Sequence, residues 1–339
     1  MTLSAALGQV VTGADLGAEL MDAAMREIMT GQAAPEQVAA LLTGLAVKGE
    51  TVAELAAAAR VMREFATTIE VSGPHLLDTC GTGGDGAGIF NVSTAAAFVA
   101  AAAGARVAKH GNRSVSSTSG SADVLERAGL NLTLQPSAVA AAIERIGVGF
   151  LFAQQHHPAA RHVAPVRRQL GVRTLFNLLG PLSNPAAAPH QVLGVYERRW
   201  LEPIAETLAA LGSRHVLVVH ARDGLDEISL ASETEVAELV DGAITTYTIA
   251  PETFGIQRQP LDNLCVSDAG QSLRIIRGVL EGETGAAADL VALNAGAAIY
   301  AADLVADLAG GVERAREILA SGAAAERMDQ LVAYSAEAG

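Results

Sequence analysis

Asp78-Thr79-Cys80-Gly81-Thr82-Gly83-Gly84-Asp85 is the stretch on which the reading of this 339-residue chain turns, because it joins a short apolar run to a glycine-rich loop. Glycine tolerates positive φ and lets a ligand approach the main chain, so Gly81, Gly83 and Gly84 can aim successive backbone N–H groups at one anion. Three more polar clusters follow before Gly129: Asn91-Val92-Ser93-Thr94, Lys109-His110-Gly111-Asn112-Arg113 and Ser116-Ser117-Thr118-Ser119-Gly120-Ser121-Ala122-Asp123. Ordinary turns explain any one of them; their recurrence in so short a span points to one shared site. Asn91 stands where a helix should begin, with the alanine-rich run 95–104 behind it. Free N–H groups and the Ser93 and Thr94 hydroxyls then face the same space. Lys109 and Arg113 supply formal positive charge.

Outward from this stretch, short apolar runs alternate with helical patterns, which is the signature of an α/β fold with a mostly parallel central sheet flanked by helices. Strands are expected at 76–79, 106–109, 148–152, 191–195 and 215–219, and helices at 92–103, 121–128, 137–146, 159–170 and 201–211. Ligands of such sheets bind beyond the carboxyl ends of the strands, where the glycine loop and the Lys109 cluster both fall. A hairpin over 236–240 and 244–249 should turn at Asp241-Gly242. The chain then returns to alanine-rich helices, one of them over 290–308. Before residue 70 the pattern is helical only. Leu16, Leu20, Met21, Ala24, Ile28 and Met29 recur at helical spacing; Pro35 opens a second helix that Gly49 ends, and Thr51-Val52-Ala53-Glu54 is a capping box for a third. Residues 161–189 contain Gly-Pro and Asn-Pro steps, so short helical pieces between bends are expected there.

Composition bounds the function. A net charge of −14 and 4% aromatic residues argue against a general nucleic-acid binder, which needs a basic face and rings for stacking. A small phosphorylated ligand remains compatible, since screening confines each surface charge to roughly 8 Å. The only lysines are Lys48 and Lys109. Mean hydropathy is +0.30, yet no run approaches the roughly 20 large apolar residues of a membrane span. No basic segment precedes an apolar one at the N-terminus, so a soluble, cytoplasmic protein is expected. Two cysteines, Cys80 and Cys265, read as small packing residues.

Two further groups carry chemistry. Gly224-Leu225-Asp226-Glu227-Ile228-Ser229 follows the strand 215–219, and its adjacent carboxylates suit Mg²⁺, which takes phosphate oxygens and water for its other positions. Taken alone, such a pair is a solvated turn; its place at the phosphate end of the sheet raises its interest, with Asp85 as an outer carboxylate. His156-His157-Pro158 is followed by Arg161, His162, Arg167, Arg168 and Arg173. The histidine spacing and the lack of thiolates argue against zinc there. The planar fork of either Arg167 or Arg168 would fix an organic acid.

As a set, the quoted motifs, the 119–125 segment, His157-Pro158-Ala159, Leu225-Asp226-Glu227 and Arg173-Thr174-Leu175-Phe176-Asn177-Leu178-Leu179-Gly180-Pro181 resemble the anthranilate phosphoribosyltransferases over nearly the whole chain. The resemblance implies a nucleoside-phosphorylase-like phosphoribosyltransferase fold: a small helical domain of residues 1–70, to which a segment near 165–189 returns, hinged to a large α/β domain of residues 71–339. It implies a homodimer formed through helical-domain surfaces. The substrates would be 5-phosphoribosyl 1-diphosphate (PRPP) and anthranilate, with Mg²⁺ as two ions and with neither nucleic acid nor membrane as a partner.

Residue by residue, it implies PRPP contacts at Gly81, Gly84, Asp85, Asn91, Ser93 and Thr94, with Ile89 and Val92 in the same run. The contacts continue through Lys109, His110, Gly111, Asn112, Arg113, Ser114, Val115, Ser116 and Ser117 to Ser121. Ser93, Asp226 and Glu227 would hold magnesium; Gly81, Asn112 and Arg167 would meet anthranilate, with His110, His157 and Pro181 lining its channel. Lys109, His110, Asp226 and Glu227 are the candidate catalytic residues. Ile89 stands where the family has a hydroxyl residue, a loss of about 1 kcal/mol if one hydrogen bond goes with it; Gln154 replaces a proline. The expected chemistry is direct displacement of diphosphate with inversion and no covalent intermediate; no residue is a compelling general base, His110 being no more than a candidate. The rival readings are a pyrimidine nucleoside phosphorylase of the same fold and a non-catalytic nucleic-acid-binding relative; the acid pair, the arginine segment and the acidic balance oppose them.

Overall fold

The computed structural model describes residues 2–114 and 119–339. Four helices open the chain: α1 (Thr2–Val10), α2 (Ala18–Met29), α3 (Pro35–Lys48) and α4 (Val52–Glu64). Helix α1 is an addition to the three expected. It buries only Leu3, Ala6 and Val10, too short a stripe to stand out by periodicity. The capping box at Thr51 forms: its Oγ1 accepts from the Glu54 N–H at 3.3 Å, and Glu54 Oε2 accepts from the Thr51 N–H at 2.8 Å. Glu54 is fully buried, and it also accepts from the Leu16 N–H at 2.7 Å and from Lys48 Nζ at 3.0 Å. One carboxylate thus ties the starts of two helices to the end of a third.

The strands are β1 (Leu76–Gly81), β2 (Arg106–Gly111), β3 (Val148–Phe152), β4 (His190–Gly194), β5 (His215–Ala221), β6 (Thr234–Val240) and β7 (Ala243–Ile249). They form one sheet in the order β3-β2-β1-β4-β5-β6-β7, parallel from β3 through β5 and antiparallel at β6 and β7. Strand order reverses between β1, whose next strand lies on one side, and β4 on the other. Ligands of open α/β sheets bind at such a crevice. Register there sets Gly81 beside Gly194. The hairpin turns at Asp241-Gly242 as expected, with both residues at positive φ, 44° and 90°.

The remaining helices are α5 (Val92–Ala102), α6 (Ser121–Arg127), α7 (Pro136–Ile146), α8 (Ala153–His156), α9 (Ala164–Leu170), α10 (Leu175–Leu182), α11 (Leu201–Ala210), α12 (Ala269–Leu280), α13 (Ala286–Ala301), α14 (Leu308–Ser321) and α15 (Ala323–Glu337). Alternate strand residues enter different cores, as the pleat requires. Val216 and Val218 of β5 join α1–α4, α9, α10 and α11, whereas Leu217 and Val219 join α5 and α12–α15. Burial on both faces is why the parallel strands read as continuous apolar runs.

Two expected helices are corrected. The one over 159–170 divides into a 3₁₀ turn, Pro158–His162, and α9, because Pro165 lacks an N–H and fits only in a first turn. The one over 290–308 ends at Ala301; Asp303 turns the chain at φ 57°, and Asp307 Oδ1 restarts it by accepting from the Gly310 N–H at 2.8 Å. Helices α9 and α10 pack on α3 and α4. Arg63 Nε of α4 donates to the Leu182 carbonyl at 2.8 Å. Cys80 is half-buried and Cys265 exposed, so the second is no packing residue.

Candidate active site

The acid pair lies directly over the crevice between β1 and β4. A Cβ on Gly81 would sit 2.6 Å from Asp226 Oδ2, and one on Gly194 would land on the Asp226 carbonyl, so the loop carrying Asp226 and Glu227 can rest there only because both strands end in glycine. The Gly83 N–H donates to Asp226 Oδ2 at 2.7 Å, and the Ser93 N–H at the start of α5 donates to Glu227 Oε1 at 3.1 Å. Two main-chain donors expected to serve an anion are therefore held by carboxylates. The Thr82 N–H is also engaged, by the Gly194 carbonyl at 2.9 Å. Burial first, then repulsion from Asp85, pushes Asp226 up to about 7; burial, then Asp226, pushes Glu227 up to about 8. Two crowded carboxylates this reluctant to ionise together fit a divalent cation, which would reverse both effects. Asp85 stands beside Asp226.

Lys109, at the end of β2, is buried; its Nζ donates to the Thr79 carbonyl at 2.6 Å and to Ser93 Oγ at 3.3 Å. Burial holds it below an ordinary amine, against the pull of Asp78, Cys80 and Glu227. Lys109, Ser93 and Glu227 thus form one cluster. Asn91 precedes α5 but does not cap it. Its Oδ1 accepts from Ser272 Oγ at 2.7 Å and from Ser119 Oγ at 3.1 Å, which fixes it as a brace between α12 and the residues before α6. Val92 and Thr94 are buried in α5, and Thr94 Oγ1 has no partner. The Ile89 side chain packs on the main core while its backbone bridges Cys265.

Arg113 departs from expectation. Its guanidinium pairs with Glu126 at 2.7 Å and Asp123 at 3.1 Å and lies 5.7 Å from the Phe152 ring, so its charge is already matched. Asp123 also accepts from the N–H groups of Ser114 and Gly120 at 3.0 and 2.9 Å, closing the loop that Gly111, Asn112 and Ser121 border. Asn112 is exposed, and Ser121 Oγ reaches its carbonyl at 3.5 Å. Val115, Ser116 and Ser117 lie outside the described residues.

A second group faces the helical part. The His110 and His157 rings stand 5.0 Å apart. Burial, and for His110 then its histidine neighbours, holds both below the usual imidazole range: His157 at about 4, His110 well down. Both are neutral at pH 7. His110 Nε2 and both His157 nitrogens are buried without partners, as is Arg167 Nε. The Arg167 guanidinium lies 5.6 Å from the Phe176 ring, whereas Arg168 is exposed. Pro181 is buried in α10 and its carbonyl accepts from Gln191 Nε2 at 2.8 Å.

Sequence reading missed Gly194 and Ser272, and named Arg173 without its contact to the glycine loop. Arg173 donates to the Gly84 carbonyl and lies 4.0 Å from the Tyr196 ring, pinning the glycine loop from outside. Only Arg173 left a signal, as a cation beside the bends of 171–185.

Comparison with known proteins follows the same lines. A model described as the helical bundle domain of a glycosyl transferase family matches residues 4–66, and one described as the a/b domain of that family matches residues 73–325. Anthranilate phosphoribosyltransferase of Thioalkalivibrio sulfidiphilus is 60% identical over 99% of this chain and 99% of its own length. That of Alkalilimnicola ehrlichii is 58% identical over 99% and 100%. The crystal structure of anthranilate phosphoribosyltransferase from Thermus thermophilus superposes with a TM-score of 0.93 at 48% identity, covering 98% of this chain and 99% of that one. The Saccharomyces cerevisiae enzyme in complex with PRPP and Mg superposes with a TM-score of 0.91 at 26% identity, covering 99% and 98%. With both parts of its fold and nearly its full length accounted for, the chain belongs to the anthranilate phosphoribosyltransferase family.

Proposed function

We propose that this protein transfers the 5-phosphoribosyl group of PRPP to the amine of anthranilate, giving N-(5-phosphoribosyl)anthranilate and diphosphate, as a step of tryptophan biosynthesis. The observation that carries this reading is the acid pair seated on the Gly83 and Ser93 amides beside Lys109. Asp226, Glu227 and the Ser93 hydroxyl would hold Mg²⁺, two ions with PRPP. When bound, the metal would offset charge developing on the departing diphosphate. The carboxylates must then release the Gly83 and Ser93 amides, which become donors to phosphate oxygens. Lys109, shielded from water, adds a fixed positive charge to the same group.

Arg167 meets the anthranilate carboxylate through its planar fork, and the aromatic ring lies toward His157 and Pro181. Neutral His110 offers Nε2 as acceptor for the proton that the amine loses. The reaction is a direct displacement with inversion, in which alignment and water exclusion supply most of the rate. Closure of the helical unit, residues 1–70 with 165–189, over the α/β unit of residues 71–339 excludes that water. The contacts between Thr67 and His156, at 2.6 and 2.7 Å, mark its hinge side. Large apolar side chains exposed in the helical part, Val11 and Val47, favour a homodimer through that surface. Light scattering of the purified protein measures this.

Among the described residues no helix is long and apolar enough to cross a membrane. The decisive experiment follows anthranilate fluorescence in purified protein with PRPP and Mg²⁺. Loss of fluorescence that requires all three components is expected, and its absence would sink the assignment.

A further inference from the structure

Among the described residues, buried polar side-chain atoms without a partner gather at or beside the active site, with one exception: His190 Nδ1. His190 opens β4, at the end of the sheet opposite the crevice. Parallel register places it directly beside His215, the first residue of β5. Asp303, from the link between α13 and α14, reaches both rings. Its Oδ1 lies 2.7 Å from His215 Nδ1 and its Oδ2 lies 3.8 Å from His190 Nδ1. The three ligand atoms all fall within 4.8 Å of one another.

The far side of the His215 ring is engaged. His215 Nε2 stands 3.1 Å from the buried Glu238 Oε1. A carboxylate behind the outer ring nitrogen is the usual arrangement of metal-bound histidine; without metal His215 donates from both nitrogens, to Glu238 and to Asp303 at 2.7 Å, and an ion would displace the Nδ1 proton. The 3.8 Å from Asp303 Oδ2 to His190 Nδ1 is too long for a hydrogen bond, so among the described residues only His215 is bonded to this carboxylate while His190 Nδ1 has no partner beside it.

We propose that His190, His215 and Asp303 form a site for a first-row transition-metal dication of the zinc type, with water as fourth ligand. Ligands about 2.0–2.1 Å from a tetrahedral ion stand roughly 3.3 Å apart; the three ligand atoms lie within 4.8 Å of one another, so an ion would draw them inward. Imidazole nitrogens select such an ion over Mg²⁺, which takes oxygen. Entry is open, since the Asp303 side chain is 47% exposed. The neighbouring cation, Arg214, turns toward Asp241 at 3.4 Å. Bound there, the ion ties β4, β5 and the α13–α14 link together as a structural clasp remote from the chemistry.

The test uses the full chain without a polyhistidine tag, stripped by chelator and kept in excess Mg²⁺ to fill the acid pair. CoCl₂ titration should give the visible absorption of four-coordinate Co²⁺, saturating at one equivalent and abolished by ZnCl₂. Asp303→Asn, a half-exposed change that the fold tolerates as checked by circular dichroism, and His190→Gln should each remove it. Glu238→Gln should weaken binding by about 10–100-fold. Asp226→Asn should leave it intact. No four-coordinate spectrum in the unaltered protein overturns the proposal. A spectrum that survives Asp303→Asn, or that disappears with Asp226→Asn, overturns it equally.

Discussion

Replacing Gly194 by alanine tests the geometry of the acid pair without touching a charged group. Gly194 is not at positive φ, so alanine meets no conformational penalty in β4. The added methyl would lie 3.2 Å from Asp226 Cα, with the Asp226 carbonyl carbon and oxygen closer still. To restore ordinary van der Waals separation, the Asp226 main chain must retreat by about 2 Å. Misplacement of a reacting array by about 1 Å already costs about 100-fold, so kcat/KM should fall by at least that factor, about 2.7 kcal/mol of transition-state stabilisation. Initial rates from anthranilate fluorescence at varied Mg²⁺ should show the loss together with a higher Mg²⁺ requirement. Urea unfolding should register an overpacking cost of about 1–3 kcal/mol. Gly8→Ala, inside α1 with no atom within 4 Å of the new carbon, is the control and should keep full activity. A Gly194→Ala protein with kcat/KM within about threefold of the parent and the same Mg²⁺ dependence would refute the idea that this close approach positions the pair.

Asp226→Asn combined with Glu227→Gln should abolish Mg²⁺ dependence and most turnover; unchanged kinetics would make the pair a mere surface turn. Arg167→Ala should raise KM for anthranilate more than KM for PRPP, and equal effects on both would defeat the carboxylate clamp. The raised Asp226 and Glu227 carboxyls bind protons in the folded state that the unfolded chain releases at about pH 4. Metal-free protein should therefore lose stability as pH rises from there toward 8, and Mg²⁺ should raise Tm more at the alkaline end. A Mg²⁺ effect on Tm that is flat with pH would contradict this. Glu54→Ala leaves Lys48 buried without its inner partner and the Leu16 and Thr51 N–H groups without acceptors. A loss of about 3–5 kcal/mol in urea unfolding is expected, and a loss below about 1 kcal/mol would show that water replaces the carboxylate.

Local signals carried the reading furthest where the structure is itself local. The capping box at Thr51, the turn at Asp241-Gly242 and the strand at 148–152 each depend on neighbours within a few residues, and each is found where the pattern put it. The motif residues Ser93, Lys109, Asp226 and Glu227 do converge, because Lys109 lies near the end of β2 and the others follow strands at the same carboxyl end of the sheet. Gly194 and Ser272 were illegible for the opposite reason. Each matters through one atom of a distant segment, the Asp226 carbonyl and the Asn91 side chain, and nothing in their flanks marks this. Arg113 looked like a free phosphate cation because the sequence shows charge but not pairing; Asp123 and Glu126 lie one helix away and take it.

That pairing bears on how so acidic a protein would grip a polyphosphate. With Arg113 neutralised, Lys109 is the single lysine at the crevice, set against Asp226 and Glu227. Side chains alone would leave the site negative and hostile to PRPP. Surface charges beyond about 8 Å are screened and cannot mend this. Attraction must then come from inside the crevice, from amides at the glycine loop and at the start of α5 and from a divalent cation. The carboxylates now seated on Gly83 and Ser93 occupy the positions that phosphate oxygens would take. A group that stands in for the anion until a cation draws it aside explains why the amides are not orphaned without ligand, while burial and mutual repulsion, against the pull of those amides, keep both carboxyls reluctant to ionise. It also makes metal and donor depend on each other for entry, since either alone would leave charge unmatched in the crevice.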